Sequence, residues 1–174
     1  MRAVAQDLTL LRYRPAVPSD AEEVASVTRA ANAEYRGRYD VSALFDPSAQ
    51  DLADLRRGGG QVAETAGVLV GAVRYVRGAD GSASLRRLAV APACRRRGVG
   101  GGLVREAERM LIEVRVGRVT LATVAEVRDL DAFYQDLGYR PTGTEWVARR
   151  GFTPRYWTKD LEPTRAPSPS EVPG

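Results

Sequence analysis

Histidine is absent from the 174 residues. That excludes an imidazole base, a histidine triad and a histidine-ligated metal. Cysteine occurs once, as Cys94, so neither an internal disulfide nor a cysteine-built zinc site can form. A single thiol fits a reducing compartment. Lysine also occurs once, as Lys159, so 25 of the 26 basic residues are arginine. Apolar runs such as Val68 to Val73 fall far short of the ~20 residues a membrane-spanning helix needs. The opening MRAVAQDLTLLRYRP is interrupted by Asp7 and Arg12, and no apolar segment with a small-residue cleavage site follows. A cytoplasmic protein with no membrane partner is the expectation.

What is present suffices for one core: 44% of the residues are hydrophobic and 28% charged, over a common single-domain length. Residues 1–9 read as a lead-in and 10–162 as one domain. Residues 163–174 hold four of the ten prolines and no aromatic residue, and they read as a disordered tail.

Leu10 to Arg14 reads as a first strand. Ser19 and Glu22 form a capping-box pattern for a helix with Val24, Val27 or Thr28, and Ala31 on one face. Asp51 to Arg57 suits a short second helix. Gln61 to Ala66 and Val68 to Val76 read as strands joined around Gly67, and Ser82 to Val90 follows a turn at 78–81. A helix is expected from about Gly98 to Val116, stopped by Gly117. The apolar run Val119 to Val124 predicts a strand buried on both faces. A helix over Asp129 to Leu137 ends at Gly138, and 139–147 with 155–161 make a closing antiparallel pair. The order β-α-α-β-β-β-α-β-α-β-β implies an α/β (α+β) fold, a mixed and mostly antiparallel central sheet flanked by helices.

The stretch from 85 to 110, LRRLAVAPACRRRGVGGGLVREAERM, places three arginines and several glycines at the opening of an amphipathic helix. The first N–H groups of a helix lack intrahelical partners and lie at its positive end, and glycines let an anion approach them. A Walker loop would need a lysine and a hydroxyl residue that are not there. The dinucleotide fingerprint would need glycine at 103, which is Leu103. The pattern met is [QR]-x-x-G-x-[GA], as Arg95-x-x-Gly98-x-Gly100. Between Gly81 and Val104 there are five arginines and no acid. The basic balance is therefore concentrated here, without interleaved aromatics or a nucleic-acid motif, and no nucleic-acid partner is expected.

With Leu88-Ala89-Val90-Ala91-Pro92 leading into that turn, the chain resembles the GNAT superfamily of acyl-CoA-dependent N-acyltransferases over most of residues 10–161. The resemblance implies that Leu88, Ala89 and Val90 present backbone groups to the pantetheine arm and thioester. It also implies that Arg95, Arg96, Arg97, Gly98, Val99, Gly100 and Gly101 surround the pyrophosphate of acetyl-CoA. Ala132-Phe133-Tyr134-Gln135-Asp136-Leu137-Gly138-Tyr139 is similar to the family's A-x-F-Y-x-x-x-G-[FY] segment, and the tyrosine at Tyr134 would protonate the leaving thiolate. Upstream, Glu126-Val127-Arg128-Asp129 lacks an asparagine that many members carry.

The implied reaction is direct attack of a primary amine, on a small molecule or protein, upon the acetyl-CoA thioester, with no metal. Backbone N–H near Val90 would face the developing oxyanion. Glu64, Glu126 and Glu145 are the candidate proton acceptors beside water, since the strand before the turn offers only Ser82, Ser84, Arg86 and Arg87. Arg86 and Arg87 are consecutive on that strand and are expected to point to opposite faces, one toward the acceptor cleft to pair with a carboxylate or phosphate of the substrate and the other toward the basic surroundings of the cofactor. Glu34, Tyr35, Arg36, Arg38, Tyr39, Asp40, Phe45 and Asp46 stand where the family builds its acceptor wall. A non-catalytic CoA-binding module is the alternative function, and the resemblance leaves a homodimer open.

Overall fold

Local turn chemistry sets the hairpins of the sheet. In the computed structural model, which describes residues 7–35, 53, 55, 59–144 and 152–161, Ala66 (φ 49°) and Gly67 (φ 77°) join β2 (Gly60–Thr65) to β3 (Val68–Arg77). Two consecutive residues of positive φ match the right-handed twist of the strands they connect. Between β3 and β4 (Ser82–Val90), Asp80 Oδ1 accepts the Ser82 N–H at 3.1 Å, and Gly81 supplies another positive φ. β1 (Arg12–Pro15), α1 (Ala21–Asn32), α2 (Val99–Glu113), β5 (Arg118–Val124), α3 (Asp129–Asp136), β6 (Arg140–Thr144) and β7 (Pro154–Asp160) complete the described elements.

The seven described strands form one sheet in the order β1-β2-β3-β4-β5-β7-β6. Only the β4–β5 pair is parallel, because helix α2 carries the chain across between them. The mixed, mostly antiparallel sheet expected from the sequence is therefore present.

Helices cover both faces. Val99, Leu103, Val104, Ala107 and Leu111 recur at helical spacing along α2 and are buried. They pack with Ala63, Val70, Val119 and Trp157 in the larger core. Truncating a residue as enclosed as Leu103 to alanine would cost about 2–5 kcal/mol. On the other face, Val24 of α1 packs with Leu55, Val62, Leu69 and Ala72. Val62 and Ala63 join different clusters because successive strand residues face opposite ways.

Three local expectations are corrected. The strand covered on both faces is β2, every residue of which is buried, whereas β5 alternates between buried and more open positions. Ser19 makes no capping bond, because Pro18–Asp20 closes as a 3-10 turn in which Asp20 Oδ2 accepts the Val17 N–H at 2.7 Å. Helix α2 ends at Glu113, and Arg115 (φ 61°), not Gly117, takes the left-handed position. Of the short second helix, Ala53 and Leu55 are described, and both are helical. The tail 163–174 lies outside the described residues.

Candidate active site

β4 and β5 pair only from Ser82 to Ser84 against Arg118 to Thr120. Past Ser84 the ladder stops and the strands diverge. A cavity of about 170 Å³ lies in the gap. Leu85 and Leu88 wall it on β4, and Leu121 to Val124 wall it on β5. Asn32 and Tyr35 border it from the end of α1, and Tyr134 from α3.

Arg86 and Arg87 both border this cavity, which overturns the expected alternation. Ala72 pairs with Ala89 and Arg74 with Arg86, so β4 holds one residue more than β3 between those pairs. This is a β-bulge, and Arg87 within it adopts φ 51°. A left-handed conformation in a residue with a Cβ costs roughly 1–2 kcal/mol.

The bulge also sets which backbone groups meet the cavity edge. Ala91 N–H donates to Val70 O of β3 at 2.8 Å. Bonding residues alternate along an antiparallel ladder, so Ala89 faces β3 while Leu88 and Val90 turn their amides toward the edge that β5 leaves open. The Val90 carbonyl accepts Arg95 Nε at 3.3 Å. The Val90 N–H is left as a donor along that edge.

At the far end of β4 the chain turns through Pro92–Cys94 into α2. Gly98 is the N-cap, with φ 82° and no capping side chain. The first helical amide bond runs from Gly102 N to Gly98 O at 2.9 Å, so the N–H groups of Val99, Gly100 and Gly101 have no acceptor within the helix. A Cβ at Gly98 would meet nothing within 4 Å, and one at Gly100 would touch Phe133 at 3.5 Å and Val90 at 3.6 Å. Three unbonded amides at the positive end of a 15-residue helix, with open space before them, suit a phosphate.

Side chains of this turn divide among several tasks. Val99 is in the core and offers only its amide. Arg95 reaches across to the Ala31 carbonyl and the Glu34 carboxylate, clamping the end of α1 to β4. Arg96 pairs with Asp129 at 2.6 Å on the surface, at the first turn of α3. Arg97 is exposed and near enough to Asp7 to lower that carboxyl's proton affinity, behind the hydrogen bonds from Thr9. Gly101 lies against the Arg105 guanidinium. Cys94 is wholly buried, and burial pushes its thiol up.

Tyr134 is 7% exposed and borders the cavity from within an aromatic cluster. Its ring meets Phe133 edge-on at 4.9 Å and Tyr139 edge-on at 5.6 Å. Burial raises its phenol well above the ordinary value, so the hydroxyl keeps its proton at neutral pH. An uncharged O–H donor inside an apolar pocket is what a departing thiolate requires.

Of the carboxylates singled out from the sequence, the two described ones, Glu64 and Glu126, do not border the cavity. Glu64 is buried on β2 and accepts Arg12 Nε at 2.6 Å and Arg14 Nε at 2.7 Å. Those bonds, Arg14's first, hold its carboxyl below the usual range. Glu126 accepts the Thr153 N–H at 3.0 Å; burial raises its carboxyl, but backbone donors outweigh that and leave it lowered. Glu145 lies outside the described residues, as do Arg36, Arg38, Tyr39, Asp40, Phe45 and Asp46. Among the described residues no group of His, Cys, Asp and Glu could hold a metal, and no helix is long and apolar enough to cross a membrane. Asn32 borders the cavity although nothing in its local sequence marks it. An asparagine ending a helix is ordinary, and only the packing of α1 beside β4 gives it this position.

The acetyltransferase (GNAT) family profile matches residues 24–139. The chain belongs to that family. It is an acyltransferase. Three solved structures illustrate the likeness of fold. The ribosomal-protein-S18-alanine N-acetyltransferase of Escherichia coli has a TM-score of 0.71 at 14% identity, over 94% of this chain and 99% of that one. The PaiA N-acetyltransferase of Thermoplasma acidophilum, solved with coenzyme A, has 0.70 at 19% identity, over 84% and 97%. The ribosomal-protein-alanine N-acetyltransferase of Brucella melitensis has 0.70 at 23% identity, over 86% and 99%. No curated protein matches in sequence.

Proposed function

We propose that the protein moves an acetyl group from acetyl-CoA to a primary amine by direct attack within a ternary complex. The observation that carries this is Tyr134, a buried and protonated phenol bordering the same cavity as the open edge of β4. The amides of Val99, Gly100 and Gly101 hold the pyrophosphate, and the backbone of Leu88 and Val90 lies along the pantetheine arm. Side-chain charge around the phosphates comes from Arg96 and Arg97, while Arg95 shapes the turn through its bonds to α1.

In the reaction the amine nitrogen forms a bond to the acyl carbon and the C–S bond breaks. The Val90 N–H faces the oxyanion as it develops, and Tyr134 gives its proton to the thiolate. The proton leaving the amine passes to solvent, from which Tyr134 regains the one it gave, and neither Glu64 nor Glu126 borders the cavity. Holding both reactants in one small cavity supplies much of the rate.

Calorimetry with acetyl-CoA and a thiol-release assay over amines test the reading. Gly98→Glu and Gly100→Glu abolish acetyl-CoA binding while leaving the circular dichroism spectrum unchanged. Unaltered affinity in both variants would remove the pyrophosphate assignment. Tight acetyl-CoA binding with no thiol release for any amine would make the protein a binding module instead.

A further inference from the structure

The cavity that Tyr134 borders has a definite chemical character. The bulge in β4 brings Arg86 and Arg87 to one cavity, where a regular strand would separate them. Arg87 holds φ 51° to do so, a conformation that persists only where the surrounding structure imposes it. Arg86 is exposed, so its guanidinium is open to an incoming molecule. At the end of α1, Asn32 Nδ2 donates to the Thr28 carbonyl at 2.9 Å, which leaves Oδ1 as the acceptor of that amide. Among the described residues bordering the cavity there is no carboxylate.

A polyamine or other polycation would meet the Arg86 guanidinium here, and like charges repel. An amine carrying its own anion finds the opposite arrangement. Arginine's planar fork of donors matches a carboxylate or phosphate, and the Asn32 oxygen accepts an amine N–H. We propose that the acceptor is a small primary amine bearing an anionic group, carboxylate or phosphate, and that Arg86 selects it by pairing with that group. The inference rests on the proposed transfer to an amine and names the class of acceptor.

The experiment compares matched amines on the full chain with acetyl-CoA: glycine against glycinamide, phosphoethanolamine against ethanolamine, and spermidine as the polycation. Thiol release gives kcat/KM, and calorimetry in the presence of CoA gives acceptor binding. The anionic member of at least one pair is preferred by tenfold or more, and which pair responds distinguishes carboxylate from phosphate. Arg86→Gln raises KM for that acceptor by tenfold or more without changing the affinity for acetyl-CoA, and Arg86→Lys recovers part of the loss. Anionic amines that bind, with binding weakened in Arg86→Gln, yet are never acetylated would support this assignment and overturn the transfer reaction. Acetylation of spermidine or the neutral amines at equal or better efficiency would overturn the assignment and leave the reaction standing. So would an Arg86→Gln variant indistinguishable from the parent, or no binding of any anionic amine.

Discussion

Tyr139 donates its hydroxyl hydrogen to Glu108 Oε1 at 2.8 Å, tying the residue just past α3 to the buried side of α2. Lys159 on β7 completes the arrangement, donating to Glu108 Oε2 at 2.7 Å and to the Leu137 carbonyl at 2.8 Å. The C-terminal end of α3 is thus held from two sides, and Tyr134 sits one turn back from it. Burial and the adjacent Glu108 carboxylate keep the Tyr139 phenol protonated far above its ordinary range.

Glu108→Leu strands the Lys159 ammonium in a site where its side chain is only 24% exposed. Stability falls by about 3 kcal/mol, read from the urea midpoint. Adding Lys159→Met restores most of the loss, because the uncompensated charge is gone. Strictly additive effects of the two substitutions would show that the pair is not coupled.

Tyr134→Phe removes one oxygen and keeps the ring contacts with Phe133, Tyr139 and Trp157. Turnover falls by about a hundredfold while the KM for acetyl-CoA stays within a few-fold. Since burial raises this phenol, its acid form persists through pH 10, and kcat shows no falling limb at the ordinary tyrosine value. A descending limb near pH 10 that vanishes in Tyr134→Phe would contradict the buried assignment.

Arg14 bonds both Asp20 oxygens, at 2.7 and 2.9 Å, and Glu64 Oε2 at 2.7 Å. Its hydrogen bonds are the leading cause holding both carboxyls below their usual range. A depressed folded value contributes stability above the unfolded value, near pH 4, and that contribution is lost as pH falls through the folded value. The stability gap between the parent and Arg14→Met is therefore largest at neutral pH and closes as the solution is acidified. Denaturant melts at several pH values measure it, and a pH-independent gap would show that these carboxylates carry no part of it.

Two glycines lie where helix α2 presses on the sheet. A Cβ at Gly71 would stand 2.9 Å from Leu103 Cδ1 and 3.1 Å from the Ala89 carbonyl, and one at Gly102 would stand 2.0 Å from the Tyr13 hydroxyl. Gly71→Ala and Gly102→Ala each destabilise by about 1–3 kcal/mol. Tyr13→Ala relieves the Gly102 variant, because the obstruction is one side chain. Leu103→Ala does not relieve the Gly71 variant, since the Ala89 backbone remains in the way. Thermal melts of the four variants and the two double variants check both statements.

Much of the candidate site is legible along the chain because its parts are local. The glycine at 98, the amides it uncovers and the helix carrying Tyr134 each depend on neighbours a few residues away. Strand β4 runs from Ser82 to Val90 as its sequence suggests, since a turn precedes it and Pro92 follows. The β-bulge at Arg87 is not legible in this way. A period-two pattern contains no sign of an extra residue, and the bulge depends on how β3 pairs with β4. Glu64 is a candidate proton acceptor on residue type, yet the Arg14 that engages it lies fifty positions away, beyond the reach of any local pattern.

The missing histidine and the single cysteine already excluded imidazole, disulfide and cysteine-zinc chemistry, because composition limits what any fold can assemble. The arginine-glycine turn likewise pointed to an anion site from neighbouring residues alone. Folding added the cavity, which exists because β4 and β5 part after Ser84, and the presence of Arg86, Asn32 and Tyr134 around it. Those three residues come from different elements, and no local pattern relates them. They meet because two helical layers pack on a sheet that splits in the middle, a consequence of long-range packing and not of any segment read alone.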